Sequence, residues 1–490
     1  MMGMSDYELK RAVAMWGIAL CLFAAAAGWM FMRFGMAWSI ADLPPSTNMD
    51  FIVPAYIISE VAMISLGGKL VDSYGTKKVL VFAPTIFILG SMLCMLSVSV
   101  EALIIFRFIQ GIGGGLILAV AFAAVGKYYS PKKRGKCHEL MTGSFAFGSL
   151  FGSAMGYFFT SNLNWRFGFI FFSVIAFIGF MMAWKLLPES EGDREPTDPI
   201  SVILTTLMFG AAALYTQTVN IYFDLLSFTS LIFAAVIVLL LILMMKNALK
   251  VPDAITPMGK TWFERKLIIL MFMFSLCGLG LIQYFFKLYL TYYEFDIYEA
   301  SFMFIFLILG AAGPSIIGCR KVFDTGIRPW VTVGAIIVTI SLVIAHFMAD
   351  QGKVQFALSL FIFGFGLGCI VTEILCSMQA VIKVDKIGQH TGNLMAIRMI
   401  GILVGNAIVG AYIKDVVDMN HVAPYIDANT SKSVLFDILK SFVDNIKYAA
   451  QSLDSGLMAT LLIMAIVTAL LAYVGFKIGK DDLEELEKEE

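Results

Sequence analysis

The chain has 490 residues, 59% of them hydrophobic and only 14% charged, with a formal net charge of -1. Soluble domains carry roughly a quarter charged residues, so an ordinary soluble enzyme or binding module is excluded, while the near-neutral charge says nothing about nucleic acid. The apolar residues form blocks of about 18 to 25 residues, the length a helix needs to cross a bilayer's hydrocarbon core, rather than the stripes of soluble amphipathic helices.

In chain order the blocks predict fourteen transmembrane helices, over 12–39, 50–71, 78–99, 101–126, 138–160, 166–187, 201–221, 226–246, 266–291, 299–319, 329–349, 354–380, 391–413 and 456–477. The first follows Lys10 and Arg11 and is too long for a cleavable signal peptide. Alternate connections are basic: Lys77 and Lys78, Lys127 to Lys136, Lys246 to Lys266, Arg320 to Arg328, and Lys383 with Lys386. The positive-inside rule puts that side and both termini in the cytoplasm, across a plasma (inner) membrane. Residues 188–200 are Pro-rich and charged and predict a cytoplasmic linker. Within an external segment, 414–455, Val434, Leu435, Ile438, Leu439, Phe442, Val443 and Ile446 recur at helical spacing. That predicts an amphipathic helix on the membrane surface or a packed lid. The tail, 478–490, is a solvated charge run.

Seven cysteines without a Cys-x-x-Cys spacing read as structural thiols rather than disulfides or metal ligands. Four scattered histidines, none four residues from another, predict no metal site. No nucleophile–base pair is visible, so an enzyme is not expected. The spans group as six, two and six. The division is a six-helix bundle over 1–187, a linker with two extra helices over 188–265, and a second six-helix bundle over 266–477. Two related six-helix halves are the build of a large transporter class. A trace of the repeat survives in two loops. Gly68, Asp72, Gly75, Lys77 and Lys78 follow the second span; Gly318, Arg320, Lys321, Asp324, Gly326 and Arg328 follow the tenth.

The first of those loops resembles the G-x-x-x-D-x-x-G-[RK]-[RK] signature of the major facilitator superfamily, with Ser73 and Thr76 at two usually basic positions. The resemblance implies a gate. The glycines permit a tight turn and close helix approach, and Asp72 can sit against a neighbouring helix's N-terminus, holding the cytoplasmic side closed. Arg107-Phe-Ile-Gln110-Gly111-Ile-Gly113 is similar to the fourth-span motif of drug:proton antiporters, and Gly392 to Gly405 looks like a late-span pattern of the same branch. The whole chain thus resembles that superfamily's fourteen-helix drug:proton antiporter branch: an all-α membrane protein of two six-helix bundles plus two additional central helices. Two features depart from it. The first span lacks the usual Asp and has Arg33 instead, and the fifth-span glycines Gly148, Gly152 and Gly156 keep their spacing without the proline.

An ionisable group inside a span costs roughly 3 kcal/mol or more and is a functional candidate by default. Arg33 and Arg107 lie about 9 Å from the external end of their spans, and Glu60 near the midplane. Glu60 is read either as the protonatable group, governed by Arg33 or Arg107, or as half of a structural ion pair. Glu373 and Arg398, both about 10–12 Å from the cytoplasmic face, are expected to pair in a gating or structural role. Lys287 either contacts substrate or snorkels to the interface. Gln283 and Tyr284 beside it suit an amphipathic ligand or face lipid, and Gln110 completes the substrate-binding candidates with Arg33, Glu60 and Arg107. The Gly113-Gly114-Gly115 run lies inside an apolar span and predicts close helix packing, not a phosphate loop.

The resulting expectation is an alternating-access transporter that couples proton entry to export of an amphipathic organic compound. It needs no cofactor and works as a monomer among membrane lipid, with no nucleic-acid partner. Two alternatives stay open: uptake or flipping of an organic anion or lipid, favoured by three outer cations against one acid, and a channel or receptor. A channel would need a selectivity filter, and none is visible.

Overall fold

The computed structural model describes residues 6–39, 42–44, 46–189, 192, 198–219, 222–224, 227–251, 255, 261–276, 297–348 and 353–416. Their regular structure is helical, apart from one bridge between Val219 and Phe223. The helices are α1 (Asp6–Ser39), α2 (Ile52–Tyr74), α3 (Thr76–Met95), α4 (Val100–Tyr128), α5 (Arg134–Asn162), α6 (Arg166–Leu186), α7 (Pro199–Thr218) and α8 (Phe228–Lys250). They continue as α9 (Trp262–Phe274), α10 (Ile297–Thr325), α11 (Arg328–Met348), α12 (Lys353–Gly368), α13 (Val371–Val381) and α14 (Ile387–Val416). Ten helices among the described residues are long and apolar enough to cross a membrane. The external segment 414–455 beyond Val416, the fourteenth span and the tail lie outside the described residues.

The helix starts follow from local chemistry. Ser99, Ser227 and Thr261 cap α4, α8 and α9 by accepting a backbone N–H from the first turn, Thr261 from Glu264 in a capping-box pattern. Asp198 caps α7, with Pro199 in the first helical position. Gly75 ends α2 at φ 88° and Gly326 ends α10 at φ 75°, a region glycine enters without steric cost. Their N–H groups close on Val71 and Val322 at 3.1 and 2.9 Å. These two turns are the loops whose sequences looked related.

Packing extends the repeat. On α4, Gly111 and Gly115 press on the α2 backbone at Tyr56 and Glu60, while Gly113 between them presses on α3 at Phe87. On α12, Gly364 and Gly368 press on α10 at Leu307 and Ala311, while Gly366 presses on α11. A Cβ at any of these positions would collide with its neighbour, so the glycine run is a packing device as expected. Gly148 and Gly152 likewise seat α5 on Phe23 and Ala27 of α1. α7 packs on α2 and α14, and α8 on α7. α8 turns Leu231, Val238 and Leu239 outward.

The twelfth predicted span is present as Val354–Val381, with a break at Cys369–Ile370 that divides it into α12 and α13, where three glycines at alternate positions weaken the helix. One expectation needs correction. Not all the cysteines are free: Cys319 on α10 and Cys376 on α13 form a disulfide. The broken span turns Cys376 toward α10, a juxtaposition invisible in spacings along the chain. Cys21, Cys94, Cys137 and Cys369 are free, as expected.

Candidate functional site

A buried polar cluster lies where α1, α2, α3 and α4 meet. Arg107 is fully buried. Its Nη1 donates to the Gly28 carbonyl of α1 at 2.9 Å and to Gln110 Oε1 at 2.6 Å. Gln110 Nε2 in turn donates to Ser91 Oγ on α3 at 2.7 Å. The guanidinium carbon stands 4.5 Å from the centre of the Tyr56 ring, a cation–π arrangement that gains strength when dry. Tyr56 donates its hydroxyl to the Ala25 carbonyl at 2.9 Å.

Glu60 follows Tyr56 by one helical turn on α2 and is also fully buried. Both carboxyl oxygens lack a hydrogen-bond partner, as do Nε and Nη2 of Arg107. Among the described residues Glu60 makes no ion pair, so the structural-pair reading of Glu60 with Arg107 is not what this conformation holds. Gly114 lets α4 approach closely enough that a Cβ there would meet Tyr56 Oη. A carboxyl in such a place has lost its hydration and accepts no hydrogen bond in exchange, a cost that is removed when it carries a proton. Arg107, Gln110 and Glu60 are thus brought together. Arg33 lies on α1, but its side chain, like Gln283, Tyr284 and Lys287, lies outside the described residues.

A second site joins the two groups of helices at the basic end. Asp72 accepts hydrogen bonds from the N–H groups of Gly388 at 2.9 Å and Gln389 at 2.6 Å, at the N-terminus of α14. Lys127 Nζ lies 2.8 Å from Asp72 Oδ1 and donates to the Val71 carbonyl at 3.2 Å. The carboxylate is therefore held by a helix N-terminus and a buried cation together. Gly68 makes room, since a Cβ there would strike the Gly388 carbonyl. Next to it, Ser65 donates to Asn393 Oδ1 across the same seam. Gly75 makes the turn; Lys78 is exposed, and among the described residues Lys77 reaches only the exposed Glu189 at 3.9 Å.

On the opposite side of that seam, Arg134 of α5 donates to the carbonyls of Tyr129, Gln379 and Gly126 at 3.0, 2.7 and 2.9 Å. His138 Nε2 is 3.0 Å from Gln379 Oε1, and Gln379 Nε2 donates to Phe122 and Thr391. The expected Glu373–Arg398 pair does not form. The break in the twelfth span aims Glu373 at Gly318 of α10, so that a Cβ on Gly318 would run into its carboxyl. Arg398 keeps its Nε without a partner on α14. Sequence reasoning missed Tyr56, Ser91, Gln379, His138 and Glu139 as site residues. Tyr56 could have been found from its four-residue spacing to Glu60; the others are visible only in the packing. Among the described residues no group of three metal-ligating side chains converges.

Comparison with known proteins fits this geometry. The family model described as Major Facilitator Superfamily matches residues 18–406. The "Multidrug transporter protein MdtP" of Bacillus subtilis (strain 168) is 22% identical over 456 residues, covering 89% of this chain and 82% of that one. The "Efflux pump FUS6" of Gibberella moniliformis (strain M3125 / FGSC 7600) is 25% identical over 452 residues, covering 87% and 79%. Among solved structures, the human organic anion transporter MFSD10 (TETRAN) superposes with a TM-score of 0.64 at 13% identity, covering 96% of this chain and 100% of that one. The proton:xylose symporter XylE superposes with a TM-score of 0.58 at 14% identity, covering 95% of each. With a family match from the first helix to α14 and a shared all-helical fold, this chain belongs to the Major Facilitator Superfamily and is an integral membrane transporter, not an enzyme.

Proposed function

We propose that the protein is a secondary-active exporter of amphipathic organic compounds, driven by proton entry and working by alternating access. The observation that carries the reading is Glu60: a carboxyl buried without a partner, one turn from the Tyr56–Arg107–Gln110 network. Protonation neutralises Glu60; deprotonation leaves a bare anion that must find water, substrate or the free side of the Arg107 guanidinium. Substrate and proton then compete for one place, which is the requirement for antiport. The names of the multidrug and efflux relatives support the direction of transport.

The proposed frame has fourteen spans, with bundles over 1–187 and 266–477, two extra helices within 188–265, and a charged tail over 478–490. The basic loops and termini face the cytoplasm of the plasma (inner) membrane, and the chain works as a monomer among lipid. Arg33, Gln110, Gln283, Tyr284 and Lys287 complete the proposed substrate path, and Gly68, Asp72, Gly75, Lys77, Lys78, Glu373 and Arg398 the gate. A second reading, transport of an organic anion, is favoured by the two guanidinium nitrogens of Arg107 that lack partners. Proteoliposomes under an imposed pH gradient separate the two. Drug-driven proton release that disappears in Glu60→Gln supports export; substrate uptake without proton movement refutes it.

A further inference from the structure

The seam between the two groups of helices carries two contacts of matching design. At one, Gly388 at the start of α14 lies on Gly68 of α2; at the other, Gly135 at the start of α5 lies on Cys319 of α10. Their electrostatics are opposite. The first contact holds one carboxylate, Asp72, satisfied by Lys127 and two backbone N–H groups. The second holds two carboxyls, one from each side, and among the described residues no cation pairs with either.

Glu373 on α13 is fully buried, and neither of its oxygens has a hydrogen-bond partner. Glu139 stands one turn beyond Gly135 on α5, the helix that packs on both α10 and α13, and its charge acts on Glu373. It has the Ser315 hydroxyl of α10 within reach, while its Oε2 is buried without a partner.

The cations nearby are occupied or turned away. Arg134 directs its Nε, Nη1 and Nη2 to three carbonyls, His138 faces Gln379 and stacks on Phe122, and Lys136 is exposed. From α10 come Ser315 and the disulfide-bonded Cys319, with Arg320 and Lys321 exposed. From α11 comes the Trp330 ring against Gly318. On α9, Glu264 is paired with His390 of α14 at 3.6 Å. Arg398 of α14 forms no ion pair with Glu373, the break before α13 brings Cys369, and α13 itself adds the buried Ser377.

We propose that Glu139 and Glu373 form a proton-binding site between the two halves, which holds a proton while the basic end is closed and drives that end open when the proton leaves. Two carboxyls whose charges act on each other across a largely buried seam cannot both be ionised without an unfavourable energy. Closure at this seam therefore retains at least one proton, and by reciprocity protonation favours closure. Opening wets both groups and separates them, which removes the penalty on ionisation. As pH rises the basic end opens, and as pH falls it closes. The site stands on the alternating-access reading but not on Glu60 or on any substrate.

The test is hydrogen–deuterium exchange of the full chain in lipid nanodiscs across a pH series, corrected for intrinsic exchange and read over residues 315–325 and 387–393. Wild-type protection should fall as pH rises. Glu373→Gln, which cannot ionise, should stay protected throughout. Glu139→Gln, which removes the like charge, should keep more protection than wild type at high pH. Infrared spectra should lose a carboxylic-acid carbonyl band in Glu373→Gln. A folded Glu373→Gln with the wild-type pH response overturns the proposal. If that variant melts early, a wild-type pH response in Glu139→Gln overturns it instead. Because no substrate is present, failure here leaves the export reading standing, and failure of the export assay leaves this site standing.

Discussion

Replacing Asp72 by Asn should release the closed basic end. The side chain keeps its shape but loses its charge and one of two acceptor oxygens, so one of the bonds from Gly388 and Gln389 is lost. A hydrogen bond to a charged group contributes about 1.5–3 kcal/mol, and an anion at a helix N-terminus about 0.3–1 kcal/mol more. Solvent screening does not shrink these figures much, because the Asp72 and Lys127 side chains are only 6% and 9% exposed. The closed state should thus lose about 2–4 kcal/mol, which at tenfold per 1.4 kcal/mol is a shift of about 30- to 700-fold in the closed-to-open ratio. Pulsed EPR between non-cysteine spin labels at the exposed Lys78 and Val384 reads that ratio directly. Ligand binding at the Arg107 cluster should be little affected. Unchanged label distances, or loss of binding with intact cycling, would refute the gating role of Asp72.

Further outcomes follow from the same contacts. Gly68→Ala places a methyl group against the Gly388 carbonyl; it should slow transport and widen the Lys78–Val384 distance while leaving the fold intact by circular dichroism. Arg107→Ala removes bonds to Gly28 and Gln110 and the cation–π contact with Tyr56. It should abolish transport and cost about 3 kcal/mol or more of stability; full activity in this variant would make Arg107 a purely structural residue. At the cap of α7, hydrogen bonds from the Ser201 hydroxyl and the Asn247 amide hold the Asp198 carboxyl below its usual range. A lowered folded-state value means this stabilisation is present above the unfolded carboxylate pKa and is lost as pH falls through the folded one. Asp198→Ala should therefore lower the melting temperature near neutral pH and have little effect in acid.

Periodicity and charge order carried much of this protein into view before any coordinates. Apolar runs of membrane-spanning length locate helices because a bilayer demands internal satisfaction of every backbone polar group. The turn at Gly75, the Gly111–Gly115 packing face and the Asp72 contact with a helix N-terminus were legible because backbone geometry at those points admits few residue types. What the tertiary structure decided is which distant groups meet. Glu60 and Arg107 lie 47 residues apart in numbering, and nothing in their spacing says that Tyr56 stands against the guanidinium while the carboxyl is left bare. Nor did spacing show that Glu373 would turn from Arg398 toward Gly318 and Glu139, or that Cys319 would meet Cys376. Each depends on a break after Gly368 and on the rotation of one helix against another. Such rotations are settled by packing summed over whole helix faces, which no short motif encodes.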